Sequence, residues 1–215
     1  SFRDSEKCRI YHPDNTKFDQ VTRYEMPWVT IDNRAMAGRS SRSFRDEGRL
    51  ADIDACIQPG DFMFVQFAHN DANQAKKERY IPVEEYANSL MTYVDVCRRH
   101  GAQCVLVTAI AMRNCGDNRE GIFTFSFPEY RHAMMRLARE EHLPLLDLGR
   151  RTTDYCRRIG KEASKDIFLW VKPGEYPESS LREGKEDNAH LQERGAAVFA
   201  SLLTDLIREY QADDR

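Results

Sequence analysis

The feature that most constrains the fold is an alternation of short apolar runs with amphipathic segments. The runs FMFVQF at 62–67 and QCVLVTAI at 103–110 flank a segment at 83–99 whose apolar residues recur every three or four positions. Near-continuous apolar runs are typical of strands buried on both faces of a parallel sheet. A strand–helix–strand order of this kind predicts a doubly wound α/β fold.

Other segments continue the pattern. Shorter apolar runs, WVTID at 28–32 and LPLLDL at 143–148, are predicted strands of the same kind. Helical periodicity predicts further helices at 44–57, 128–142 and 191–210. The stretch 171–189 is rich in Pro, Gly, Glu and Lys and is predicted to be a long loop. With 215 residues and no internal repeat, we expect a single domain over 1–215.

Composition excludes several classes of protein. The formal net charge of −3, with 41% hydrophobic and 31% charged residues, gives no sign of nucleic-acid or anionic-membrane binding. The six cysteines are scattered, without the spacing of a zinc site. The chain begins at Ser1 without a methionine, which fits a processed secreted protein, a trimmed chain or a fragment. A secreted or periplasmic location is expected, with a cytoplasmic one as the alternative. The oligomeric state stays open.

The stretch DNAH at 187–190 places an aspartate three residues before a histidine, ahead of the last predicted helix. A carboxylate beside an imidazole fixes its tautomer and stabilises the imidazolium during catalysis. The alternative interpretation is a helix cap, in which Asp187 or Asn188 starts the helix and His190 lies on the surface.

Two other polar stretches follow predicted strands, where α/β proteins bind their ligands. In AHND at 68–71, Asn70 could donate its amide N–H to a developing oxyanion, or simply form a turn. In AGRSSRS at 37–43, a backbone N–H after Gly38 could bind an anion, or Ser41 or Ser43 could cap a helix. None of these serines lies in a G-x-S-x-G motif, which argues against an ordinary α/β-hydrolase.

The order and neighbours of these stretches resemble the SGNH (GDSL-like) hydrolases, and within them the rhamnogalacturonan acetylesterase branch. The matching pieces are NRAMAGRSSRSFRDEGRL (33–50), PGDFMFVQFAHND (59–71), FLWVKPGEYP (168–177) and GKEDNAHLQERGA (184–196). The resemblance implies a flavodoxin-like three-layer sandwich, a parallel sheet between helices, that removes acetyl groups from a pectic polysaccharide. It implies no metal and no organic cofactor.

The resemblance also implies roles for individual residues. Gly38 would offer its backbone N–H, and Asn70 its side-chain amide, to the oxyanion. His190 would be the general base, and Asp187 would orient it. The family usually has glycine where this chain has Ala68.

The family's nucleophile lies in a Gly-Asp-Ser block after a first, central strand. Asp4-Ser5 matches that block, and Ser5 lies 28 residues before Asn33, about the family's separation. Arg3 replaces the glycine, however, and too few residues precede it for a strand, so the first strand is expected to be missing. The stretch 17–28 is expected to lead into the first helix. The alternatives are a catalytically inactive glycan- or partner-binding relative, or a fragment of an active esterase that lacks its nucleophile strand.

Two arginines are candidates for binding the substrate. The guanidinium groups of Arg39 and Arg42 match the geometry of galacturonate carboxylates, so the expected partner is an acetylated acidic oligo- or polysaccharide. The alternative is that both are solvated surface residues.

Overall fold

The computed structural model describes residues 7–114 and 123–213. Its strands are β1 (Arg9–Tyr11), β2 (Thr22–Met26), β3 (Val29–Asn33), β4 (Phe62–Val65), β5 (Gln103–Val107), β6 (Leu145–Leu146), β7 (Phe168–Val171) and β8 (Lys185–Leu191). Its helices are α1 (Ser41–Asp46), α2 (Arg49–Asp54), α3 (Val83–His100), α4 (Pro128–Glu140), α5 (Leu148–Ala163) and α6 (Glu193–Asp213). The described residues form two compact units, those up to 63 together with 70–103, and 64–69 together with those from 104 onward.

A three-stranded sheet of order β4-β5-β6 has the predicted parallel character, since β5 and β6 pair in parallel with Val107 beside Leu146. Successive β5 residues point to opposite faces, and Cys104 through Val107 are all buried. On one face, α6 supplies a row of apolar side chains: Leu202, Leu203, Leu206, Ile207 and Tyr210. The α/β prediction of a parallel sheet flanked by helices is confirmed.

The first unit also contains an antiparallel sheet of order β1-β2-β3, which the sequence analysis did not predict. The strand at 28–32 exists as β3, but it does not belong to a buried parallel sheet: Val29 is 42% exposed and Ile31 50%. The helix expected within 17–28 is replaced by β2. A short turn joins β2 to β3, and Arg23 of β2 bonds to Asp32 of β3 at 2.6 and 2.7 Å, which favours antiparallel pairing.

Of the two helices predicted in the first unit, one is interrupted and the other is continuous. The predicted helix 44–57 is two short helices, α1 and α2, because Gly48 takes φ +80 between them. The N-cap of α1 is Ser40, not Ser41 or Ser43, although Ser43 completes a capping box with it. Helix α3 confirms the prediction at 83–99, with its buried stripe formed by Tyr86, Leu90, Tyr93, Val94 and Cys97.

In the second unit, α4 and α6 confirm the helices expected at 128–142 and 191–210. The run at 143–148 is a strand only at Leu145–Leu146, because Asp147 caps the next helix by accepting a hydrogen bond from the Arg150 N–H. That helix, α5, was not predicted. The loop predicted at 171–189 ends earlier, at Gly184, because β8 begins at Lys185 and pairs antiparallel with β7. No helix in the described part of the chain has the length and apolarity needed to cross a bilayer.

Candidate active site

The predicted catalytic pair lies in a bulge of β8. Phe168 pairs with Leu191 and Trp170 pairs with Glu186, so between these pairs β7 advances two residues while β8 advances five. Residues 187–190 of β8 therefore lie opposite the single residue Leu169 of β7. Bulges of this kind turn side chains out of the regular alternation and are common beside active sites. Helix α6 begins only at Glu193, so the interpretation of Asp187 or Asn188 as its cap is wrong.

Asp187 and His190 form a hydrogen-bonded pair within this bulge. The Asp187 Oδ2 lies 2.8 Å from His190 Nδ1, while Oδ1 accepts the backbone N–H groups of Ala189 and His190 at 2.8 and 2.9 Å. Burial raises the pKa of the Asp187 carboxyl, but these donors outweigh it and hold the pKa at about 2. Because Asp187 bonds Nδ1, the Nε2 atom of the exposed His190 ring is the one left to contact a nucleophile.

Neighbouring residues anchor the bulge. The Trp170 Nε1–H donates to Asn188 Oδ1 at 3.0 Å, and the Arg113 backbone N–H donates to Asn188 O at 2.7 Å. The buried Arg113 guanidinium lies 4.4 Å from the centre of the Trp170 ring, a cation–π contact. It also donates to Ser164 Oγ at 3.0 Å. Asn188, which lies between Asp187 and His190, is therefore fixed from two sides.

His69 is a further residue of this unit that the sequence analysis did not single out. Its ring makes an edge contact with Phe127, with 5.0 Å between ring centres. Burial and, secondarily, the charge of His190 lower the pKa of His69 to about 4. A neutral imidazole is therefore maintained within electrostatic range of the candidate base. The only signal in the sequence was its place in AHND, between Ala68 and Asn70.

The two candidate oxyanion donors lie in the first unit, and the structure brings them together. Gly38 follows β3 and takes φ +75, a conformation that glycine adopts without strain. The Asn70 Nδ2 donates to the carbonyl of Arg39, the residue after Gly38, at 3.2 Å. Both residues also approach the guanidinium of Arg79.

A buried polar network holds these loops. Ser41 donates from both its backbone N–H and its hydroxyl to Asp71 Oδ1, at 2.9 and 2.6 Å. Its hydroxyl also lies 2.8 Å from Ser89 Oγ, and the Tyr93 hydroxyl donates to the Ser41 carbonyl at 2.7 Å. The aspartate of AHND thus ties the loop that contains Asn70 to the start of α1, a structural role that its position beside Asn70 gave no reason to expect.

The departure at Ala68 has a structural correlate. Ala68 is 3% exposed and takes φ +131, in the region that side chains rarely adopt. A glycine at this position would be unstrained. The residue before His69 and Asn70 therefore stores backbone strain.

The two candidate substrate-binding arginines differ in their contacts. Arg39 Nε bonds both carboxylate oxygens of Glu47 at 2.8 and 3.0 Å, and its Nη1 donates to Ala37 O at 2.9 Å. Arg42 makes one longer contact, 3.3 Å, to the exposed Glu85. Arg42 and Arg45 line an open cavity of about 280 Å³ between α1 and α3.

Ser5 lies outside the described residues, so its role as nucleophile stays a prediction. The convergence of Gly38 and Asn70 with the Asp187–His190 pair is likewise a prediction. Within residues 7–114 and 123–213, no cluster of three or more His, Cys, Asp or Glu side chains could hold a metal ion.

The parallel sheet flanked by helices, with the Gly38, Asn70 and Asp187–His190 loops, is that of an SGNH-type ester hydrolase. The chain is 35% identical over 181 residues to the rhamnogalacturonan acetylesterase RhgT of Bacillus subtilis strain 168, a match covering 84% of this chain and 75% of that protein. It is also 35% identical over 182 residues to the probable rhamnogalacturonan acetylesterase YesY of the same organism, over 84% of this chain and 77% of that one. The chain therefore belongs to the rhamnogalacturonan acetylesterase family, as its motifs predicted.

A solved structure agrees with this assignment. The crystal structure of Bacillus subtilis YxiM superposes with a TM-score of 0.69 at 26% identity. The match covers 83% of this chain but 45% of that one, so this chain spans less than half of YxiM. No protein-family model matches the chain.

Proposed function

We propose that this chain removes acetyl groups from a pectic polysaccharide such as rhamnogalacturonan by a Ser-His-Asp mechanism. The observation that carries the proposal is the 2.8 Å contact between His190 Nδ1 and Asp187 Oδ2. The names of RhgT and YesY support an acetylated polysaccharide as the substrate. A secreted or periplasmic location is part of the proposal, because such a polymer lies outside the cell.

The geometry supports a general-base role for His190. The ionised Asp187 accepts a hydrogen bond from Nδ1–H and so holds that tautomer, in which the lone pair of the neutral ring lies on Nε2. Nε2 takes the proton of the nucleophilic hydroxyl, for which Ser5 is the candidate, as the oxygen attacks the acetyl carbonyl. The same proton then passes to the departing sugar oxygen. Water attacks the acetyl-enzyme with His190 again as base, and acetate leaves.

The transition state places negative charge on the former carbonyl oxygen. The Gly38 N–H, the Asn70 side-chain N–H and the Ser5 N–H are the proposed donors to it. Donors that are already oriented stabilise this charge without reorganisation, and removing one typically costs about 10²–10³-fold in kcat.

The arginines support an acidic substrate. Arg39 is already committed to Glu47, whereas Arg42 has only a long contact with an exposed partner. Arg42 and Arg45 line the cavity between α1 and α3 together with one carboxylate, that of Glu85, so the charged side chains of its lining leave one positive charge for a galacturonate carboxylate. Of the two predicted residues, Arg42 is therefore the better candidate.

Catalysis is tested by acetate release from acetylated rhamnogalacturonan oligosaccharides and by hydrolysis of p-nitrophenyl acetate. We expect His190→Ala to lower kcat by about 10³-fold or more, and Ser5→Ala to do the same. His132→Ala, an exposed histidine of α4, is the matched control and should retain wild-type rates. Equal rates in wild type and His190→Ala would overturn the mechanism and favour the inactive, glycan-binding alternative.

The acidic substrate is tested separately. Arg42→Met should raise KM for acetylated galacturonate oligosaccharides relative to KM for p-nitrophenyl acetate by about tenfold, because one charge-assisted contact is lost. Arg39→Met should change that ratio much less. An unchanged ratio in Arg42→Met would remove this residue from the binding site.

A further inference from the structure

Arg79 bonds to one candidate oxyanion donor, Asn70, and lies beside the other, Gly38, although neither the motifs nor the mechanism assigns it a role. Its Nη1 lies 3.4 Å from Asn70 Oδ1. The same nitrogen lies 3.2 Å from the position that a Cβ atom on Gly38 would occupy. Its side chain is 31% exposed, and its nearest acidic partner is the exposed Glu78, 3.6 Å from Nε.

A closed loop brings Arg79 to this position. The Ile81 N–H donates to Asp71 O at 2.9 Å, so the chain returns to the end of the AHND stretch after ten residues. Within the loop, the N–H groups of Arg79 and Tyr80 both donate to Lys76 O at 2.9 Å, which forms a tight turn. The turn presents the Arg79 side chain to Asn70, nine positions earlier in the chain.

The chemistry of the contact determines which end of the Asn70 amide faces Arg79. A guanidinium group carries only donors, so it can bond only the carbonyl oxygen of the carboxamide. The NH₂ end must then point away from Arg79. One of its two hydrogens goes to Arg39 O at 3.2 Å, and the second meets no acceptor among residues 7–114 and 123–213.

We propose that Arg79 is a positioning residue that fixes the Asn70 carboxamide with its NH₂ group toward the oxyanion, beside Gly38. This inference rests on the proposed function, in which Asn70 donates to the oxyanion. Arg79 does not itself contact the reacting atoms. It acts through Asn70, so its effect on catalysis disappears when the Asn70 amide is absent.

The orientation of the amide is measured without reference to turnover. In ¹⁵N-labelled protein, the side-chain NH₂ resonances of Asn70 are identified by their loss in Asn70→Ala. We expect Arg79→Met to shift them and Arg79→Lys to shift them less, since lysine retains a donor. Arg99→Met, an exposed arginine of α3 paired with Asp54, is the control and should leave them in place. Unshifted resonances in Arg79→Met would overturn the proposal whether or not the protein is active.

A double-mutant cycle on p-nitrophenyl acetate tests the coupling. Arg79→Met should lower kcat by about tenfold with little change in KM. The loss is partial because the hydrogen bond from Asn70 to Arg39 O still restrains the amide. Arg79→Met combined with Asn70→Ala should match Asn70→Ala alone within about twofold. Multiplicative losses would show that Arg79 acts independently and would overturn the inference. Loss of turnover in His190→Ala concerns the proposed function and is read separately.

Discussion

Ala68 occupies a position where the family usually has glycine, and its backbone conformation shows the consequence. Its φ of +131 is a glycine-type conformation, yet it carries a buried methyl group. Strain of this kind costs of order 1–3 kcal/mol per residue. It persists because the two residues that follow are held in place, His69 by its ring contact with Phe127 and Asn70 by its hydrogen bond to Arg39 O.

Replacing Ala68 with glycine should therefore be harmless or stabilising. The relieved strain offsets about 0.8 kcal/mol of lost methyl burial and about 0.5–1 kcal/mol of added chain entropy. We expect the free energy of unfolding to be unchanged or to rise by up to about 1 kcal/mol, as measured by urea denaturation. Ala111→Gly, at an equally buried alanine without positive φ, is the control and should lose about 1–2 kcal/mol. Equal losses in the two variants would show that Ala68 is unstrained.

At the scale of elements, the β7–β8 pair determines what the Asp187–His190 spacing becomes. In a regular strand, Asp187 and His190 would point to opposite faces of the sheet and would be separated by the length of three extended residues. The bulge instead bends the chain, so that Asp187 reaches both the backbone and the ring of His190. Trp170 on β7 and Arg113 hold Asn188 in the middle of this bend.

Trp170→Phe removes the donor to Asn188 and retains an aromatic face for Arg113. We expect kcat on p-nitrophenyl acetate to fall about 3- to 10-fold, because His190 loses positional restraint. The free energy of unfolding should drop by no more than about 1 kcal/mol, the value of one hydrogen bond. Trp28→Phe, in the exposed turn between β2 and β3, provides the comparison. An equal change in kcat in Trp170→Phe and Trp28→Phe would contradict the anchoring role of Trp170.

Helix α6 depends on a glycine in its first turn. A Cβ on Gly195 would lie 2.1 Å from the backbone oxygen of Ile167, so the helix could not approach the chain before β7. We expect Gly195→Ala to lower the free energy of unfolding by about 3 kcal/mol or more, despite the better helix propensity of alanine. Thermal denaturation followed by circular dichroism measures the loss. Ala197→Gly, at an exposed site in the same turn of helix, should cost only about 1 kcal/mol. A stable Gly195→Ala protein would refute the close packing.

At the scale of the whole molecule, acid should reduce stability in two stages. Between pH 6.5, the ordinary pKa of histidine, and about 4, the unfolded chain binds a proton at His69 that the folded chain does not. Below about pH 4, the same applies to Asp187, whose pKa falls from 3.8 to about 2. Both groups bind more protons in the unfolded state, so the free energy of unfolding decreases as the pH is lowered through each window.

Urea denaturation at several pH values between 2.5 and 7 separates the stages. His69→Gln should flatten the loss between pH 6.5 and 4, while Asp187→Asn should reduce the loss below pH 4 and leave the upper window unchanged. Other carboxyls with lowered pKa contribute equally to both variants in the acid window: Asp32, Glu47, Asp54 and Asp147. A wild-type protein with constant stability from pH 7 to 4 would contradict the burial of a neutral His69.

The sequence by itself determined the α/β alternation, the family and the Asp187–His190 pairing. Strand and helix periodicity are local properties of the sequence. Asp187 and His190 are only three residues apart, so they lie close together even though the stretch is part of β8 and not the start of a helix. Tertiary structure alone decided the antiparallel β1–β3 sheet, the bulge in β8, and the placement of Arg79 over Asn70. The bulge depends on a hydrogen bond between two strands, from Trp170 to Asn188, and the position of Arg79 depends on the loop that closes from Ile81 to Asp71. Residue spacing in the sequence does not identify such partners.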